Sequence, residues 1–299
     1  MSLGIKKSER ELSIGEIISR SFNLYSARFV DFLIPYLFAA LVTGIFSMVV
    51  NLMLPMPLIP KLPAPREELL RWLGRFLVTL IAVAALVGFV SWIVNTIVSG
   101  IAIKYASDLL EKGDANLQVG FNFTVSRLAS LLAAGIITGV LIIIGLICLI
   151  VPGIIIAIMF TLVTPVIIIE RMGALDSLGR SRRLVSRRWG KTFAVLLLVY
   201  LIIGIAAVIA SRIVSPLGPA GSITSNLITA LIQPVLPIAL AFLYYSMAAK
   251  EAALAQPPPP PVVPQAPTAP SKDCPHCGRQ IPLDSRFCPH CGKEIESPL

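Results

Sequence analysis

Four cysteines carry the most specific chemistry in this chain. Cys274, Cys277, Cys288 and Cys291 stand in CPHCGRQIPLDSRFCPHCGK with the spacing C-x2-C-x10-C-x2-C. A pair of thiolates three positions apart reaches one ion from a single turn, and a second pair completes a tetrahedron. The pattern is that of a closed zinc site. Gly278 and Gly292 each follow a pair and permit the tight turn that brings backbone amides near the sulfurs. The other reading, two disulfides, needs an oxidising compartment. His276 and His290, the only histidines, lie inside the two pairs. Four sulfurs already saturate the metal, so both histidines are expected to be structural or surface residues. A closed site keeps no open position for catalysis. The fifth cysteine, Cys148, falls in an apolar run and reads as a small packing residue.

The second constellation is a basic block, Glu170 to Lys191, with seven basic residues against two acids. Charge-free runs flank it, 128–169 and 192–211. Each Arg or Lys at the centre of a membrane helix costs roughly 2.5–3.5 kcal/mol, so the block belongs at a water interface. Arg180, Arg182, Arg183, Arg187, Arg188 and Lys191 are the candidate contacts to lipid headgroups. On an interfacial helix they would attract anionic lipid at about 1 kcal/mol per basic residue. Plain control of topology explains the same charges equally well, and direct nucleic-acid binding is a third reading.

The elements that position these groups follow from composition. The chain is 56% hydrophobic and 14% charged, with a net charge of +9 and a mean hydropathy of +0.84. Soluble domains carry about 25% charged residues, so this chain lacks the polar surface to cover itself. Six apolar spans are expected at about 32–54, 76–103, 128–150, 153–169, 192–211 and 223–249 of a transmembrane domain 32–249. The 42 charge-free residues of 128–169 are too long for one span of about 20 and are divided at Pro152-Gly153. Residues 1–12 are polar and lack the pattern of a cleaved signal, so the first span is expected to serve as an anchor. Ser13 and Glu16 form a capping box ahead of an interfacial helix within residues 1–31. Another helix should end near Gly113, and a new one start near Asp114 or Asn116.

Six spans place both termini on one side. With the N-terminus inside, the inner segments hold 16 basic residues and the outer ones 5, which supports an orientation with both ends cytoplasmic. That places the cysteines in a reducing compartment and favours the metal over disulfides. Residues 256–270, QPPPPPVVPQAPTAP, read as an extended spacer of roughly 45 Å at about 3.1 Å per residue. The fold class is therefore an all-α membrane protein, six transmembrane helices arranged as hairpins with cytoplasmic interfacial helices. A small C-terminal zinc ribbon, 273–296, follows.

Residues 16–29 and 176–189 align at an offset of 160, with Arg20/Arg180, Ser21/Ser181, Leu24/Leu184, Ser26/Ser186 and Arg28/Arg188 identical. A fainter copy lies at 121–128. The reading is three units of an interfacial helix followed by a hairpin; the alternative is that every cytoplasmic entry helix needs arginine at the headgroups and apolar residues below.

Two resemblances add to this. Residues 273–293 resemble the short zinc ribbons appended to many prokaryotic proteins, whose usual role is binding another macromolecule. LSIGEIISRSFNLYSARF, VPGIIIAIMFTLVTPVIIIERMGALDSLGRSRRLVSRRWGKTF and FLYYSMAAKEA resemble a family of uncharacterised prokaryotic multi-pass membrane proteins. That family is related to the membrane domain fused to some glycerophosphoryl diester phosphodiesterases. The resemblance spans roughly residues 11–253 and implies no activity; the phosphodiesterase is a separate soluble barrel that nothing here encodes.

Three functions were weighed. An enzyme is not expected, because the six expected spans contain no Asp, Glu, His, Lys or Arg from which to build an acid–base pair. A membrane scaffold or regulator that presents the ribbon to a cytoplasmic macromolecule fits the tether. The alternative is a transporter or channel for a neutral solute, with Asn51, Asn95, Asn226 and Gln233 and the prolines Pro165, Pro234 and Pro237 lining a cavity.

Overall fold

The computed structural model describes residues 10–55, 57, 65–214, 227–255, 271–283 and 285–295. The proline spacer 256–270, the turn at 215–219 and the start of the sixth expected span, Asn226 included, lie outside these residues. The chain forms two units, Met1–Ala255 and Gln256–Leu299.

In the first unit every described element is a helix. Helix α1 (Ile14–Ala27) starts at the expected capping box: the Glu16 amide donates to the Ser13 hydroxyl (3.2 Å), and the Ser13 amide donates to the Glu16 carboxylate (2.7 Å). The Ser13 amide is the main reason the Glu16 carboxyl is held below its usual range. Arg28 breaks the helix, and α2 (Phe29–Met53) follows.

Helix α3 (Arg66–Lys112) has 47 residues. At 1.5 Å per residue it is about 70 Å long, against a hydrocarbon core of about 30 Å. The charge-free stretch 76–103 is only its middle. The helix continues because Lys104, Asp108 and Lys112 lie four apart on one face, and Asp108 pairs with both lysines (2.7 and 3.0 Å). It ends at Gly113, whose φ of 76° suits a residue without Cβ. Helix α4 (Leu117–Ser126) then starts from Asn116, whose side chain accepts from the Gln118 amide (2.8 Å).

The second hairpin turns earlier than Pro152-Gly153. Helix α5 (Leu128–Cys148) ends before Leu149, and α6 (Ile150–Met159) begins at once. Pro152 falls in the first turn of α6, where a missing N–H loses no helical bond. Gly153 serves close packing instead: a Cβ on Gly145 would lie 2.9 Å from the Gly153 Cα. Cys148 is exposed at this tip, not packed inside. A break at 160–162 separates α6 from α7 (Val163–Ile169). The last three helices are α8 (Ala174–Ser186), α9 (Trp189–Val214) and α10 (Val235–Ala255). Residues 227–230 are also helical, and 231–234 form turns that lead into α10.

Among the described residues six helices are long and apolar enough to cross a membrane: Phe29–Met53, Arg66–Lys112, Leu128–Cys148, Ile150–Ile169, Trp189–Arg212 and Leu227–Leu254. Large side chains such as Phe38, Leu52, Ile81 and Ile147 are exposed along them. Such a surface is unfavourable in water and suited to lipid. The tight packing gathers at one end, around Ile103 and Ala106 of α3, Ile167 and Ile168 of α7, and Ile238 and Leu243 of α10.

The short helices α1, α4 and α8 each precede a pair of spans, and arginine stands at each junction: Arg28, Arg127 and Arg187-Arg188. At the offset of 160 the same positions are buried in α1 and α8: Ile17 and Ser177, Ser21 and Ser181, Leu24 and Leu184, Tyr25 and Val185. A repeated packing unit has this shared burial register, and so have two entry helices that each keep arginine at the headgroups and apolar residues below. In α4, Thr124 closes on Gly100 of α3, where an added Cβ would meet Thr124 at 2.5 Å.

The second unit is the ribbon. Strands β1 (Ser271–Asp273) and β2 (Gln280–Pro282) pair antiparallel, with Lys272 opposite Ile281. An isolated bridge joins Phe287 to Glu294.

Candidate metal centre and basic face

The ribbon is built from one turn used twice. The Cys274 amide donates to the Arg279 carbonyl (3.0 Å) and the Gly278 amide to the Cys274 carbonyl (2.8 Å). In the second copy Cys288 donates to Lys293 (3.0 Å) and Gly292 to Cys288 (2.8 Å). Gly278 and Gly292 have φ of 70° and 72°, the left-handed region that each CPHCG turn needs.

The two turns bring the four sulfurs together, all within 4.8 Å of one another. Cys274 and Cys291 are 3.9 Å apart, Cys277 and Cys288 3.7 Å. A tetrahedral ion with bonds of about 2.3 Å to sulfur requires sulfurs about 3.8 Å apart. The thiols thus hold the geometry of a four-coordinate metal ion. Burial of Cys288 works against its ionisation, but the backbone amides of His290 and Cys291 favour the thiolate and hold the group below its usual range. Cys274 and Cys288 are buried with Ile281 and Ile295, which form the apolar core of the unit among the described residues. His276 and His290 are exposed and stand outside the sulfur cluster, as the spacing implied.

The six basic candidates divide. Arg180 lies between two carboxylates: its Nε donates to both Glu170 oxygens (2.9 and 3.1 Å), and its Nη1 is 2.6 Å from Glu251. Burial opposes the Arg180 charge, yet Glu170 and Glu251 outweigh it and raise the pKa. Tyr244 of α10 donates to the same Glu170 (2.6 Å). Lys191 reaches Glu11 (3.1 Å), the Leu12 carbonyl and the Ser246 hydroxyl (3.3 Å). Arg188 and Lys250 also pair with Glu11 (3.1 and 2.6 Å). Glu11 therefore gathers three cations and ties the start of the unit to α9 and α10.

Arg182, Arg183 and Arg187 are exposed and pair with no carboxylate among the described residues. The outward charge of the block rests on these three and on Arg171, which is also exposed. Arg171 and Lys104 both lie over the Phe123 ring of α4, at 5.4 and 5.3 Å. Arg171 is also in the left-handed region (φ 59°), which costs about 1–2 kcal/mol at a residue with a Cβ.

Spacing could not reveal Glu11, Glu170 and Glu251 as the partners. Glu11 and Lys250 are 239 positions apart, and no local period connects them. The usable signal was weaker: an acid beside a basic block at a helix end.

Residues 274–295 match the family model of the zinc-ribbon domain. No curated protein and no solved structure gives a significant match to the chain. The class defined by the site and the helices is a multi-pass helical membrane protein with a C-terminal zinc ribbon.

Proposed function

We propose that this chain is a membrane scaffold or regulator whose cytoplasmic zinc ribbon recruits a macromolecular partner. The observation that carries the reading is the closed set of four sulfurs: every coordination position is taken by protein, so the ion organises a surface and performs no reaction. Zinc is the ion, because four thiolates in a tetrahedron suit a soft, redox-inert cation. Leu283 and Phe287 are half or more exposed on a unit of some 25 residues and supply an apolar contact for the partner.

The excess of basic residues puts both termini on the cytoplasmic side. Arg182, Arg183 and Arg187 then face anionic headgroups at about 1 kcal/mol each.

The test compares the full chain with a form lacking residues 256–299 as bait in detergent, against cytosol of the source cell. One defined partner should be retained by the full chain and lost on deletion, on chelation, and on Phe287→Asp. Equal retention by the deleted form would overturn recruitment by the ribbon.

A further inference from the structure

Between α2, α3 and the turn before α10 lies a cavity of about 360 Å³, lined on its polar side by Thr43, Ser47, Ser91, Asn95 and Gln233. Its size is at the lower end of the range for small-molecule sites, about 300–1,000 Å³. Thr43 and Ser47 sit in the middle third of α2 or just past it, and Ser91 and Asn95 in the middle of the charge-free stretch of α3. The cavity is thus near mid-depth of the spans, where polar groups are most costly.

Asn95 is exposed and Gln233 half-buried, and neither side-chain amide has a hydrogen-bond partner among the described residues, whereas Thr43 donates to the Ala39 carbonyl (2.8 Å). An amide offers two donors and an acceptor, and leaving it unpaired away from water costs several kcal/mol. Two such amides on one cavity call for a guest that both donates and accepts. No ionisable residue lines the space, so a charged guest would have no counter-charge there.

The backbone agrees. Residues 231–234 are turns at membrane depth, and irregular backbone persists there where it lines a cavity. Tyr25 of α1 donates to the Leu231 carbonyl (2.5 Å) and takes up one freed acceptor. Burial pushes that phenol up to about 12, so it remains a donor throughout the ordinary pH range. Polar residues also extend from the cavity in both directions. Thr43, Ser47 and Asn51 share one face of α2 and run away from the basic end; Ser91, Asn95 and Ser99 share one face of α3 and run towards it.

We propose that this cavity admits small uncharged solutes of the polyol or amide class and passes them along the α2–α3 face, with Asn95 and Gln233 as the solute-binding residues. This activity does not depend on the ribbon. The full chain in liposomes is tested by light scattering with glycerol, urea and, as a zwitterionic control that carries full charges, glycine. Glycerol or urea should enter several-fold faster than into protein-free liposomes, and glycine no faster. The Asn95→Leu/Gln233→Leu double variant and the cavity-filling Ser91→Trp should both return the rate to the protein-free level. Wild-type liposomes no more permeable than empty ones, equal passage of glycine, or full flux in the double variant would each overturn the proposal.

Discussion

Replacing Cys288 by serine unfolds residues 271–295 and leaves the six long helices intact. The ribbon's apolar core is four side chains, two of them the ligands Cys274 and Cys288. A unit this small cannot offset its conformational entropy by burial. Structural zinc supplies about 10–16 kcal/mol in such modules, so metal loss and unfolding are one event. The measurement is metal content and limited proteolysis of the full chain. Bound metal should fall from one ion per chain to near none. The tail should become cleavable while the helical signal persists, and a strong chelator should do the same to the wild type. A protease-resistant tail in Cys288→Ser would show that the fold does not depend on the fourth sulfur.

The second large effect is expected at Arg180. Its guanidinium is 17% exposed and bridges α7, α8 and α10 through Glu170 and Glu251. Arg180→Ala leaves Glu170 poorly solvated beside a second carboxylate. Breaking a fully buried pair costs about 3–5 kcal/mol, and partial exposure lowers the expected loss to about 2–3 kcal/mol. A clear drop in the melting temperature of the detergent-solubilised protein follows. Arg180→Lys should recover only part of it, because an ammonium cannot hold two carboxylates through a planar fork. Arg183→Ala, which removes an outward charge, should melt like the wild type. An unchanged melt for Arg180→Ala would return that residue to the lipid-facing set.

What could be read from the sequence was what is local or periodic. The Ser13–Glu16 box, the stop at Gly113 and the start at Asn116 depend on neighbours within four positions, and all three stand where the residue types put them. The sulfur cluster was legible for the same reason: each half is a five-residue turn. The aligned segments 16–29 and 176–189 bury the same positions, Ile17 with Ser177 and Ser21 with Ser181, as the local pattern of apolar residues and serines implied.

Long-range choices were not legible. Pro152-Gly153 has the composition of a turn, but proline is equally at home in a first helical turn and glycine in a close crossing, and the structure uses both in those ways. Arg180, Arg188 and Lys191 were read as headgroup contacts from charge alone. Their carboxylate partners come from distant segments, and only the fold brings these together. Asn95 and Gln233 stood out as polar residues in apolar runs, whereas Thr43, Ser47 and Ser91 did not, because hydroxyls that can bond their own helix carry little signal.

The most direct test of the account is the side of the membrane that holds the four sulfurs. In cells carrying the chain with Cys148→Ser, the ribbon is stripped of metal by a permeant chelator and exposed to a maleimide that cannot cross membranes. The account predicts no modification of Cys274, Cys277, Cys288 or Cys291 until the cells are permeabilised, and full modification afterwards. Labelling of those cysteines in intact cells would place the ribbon outside and contradict both the orientation and the recruitment built on it.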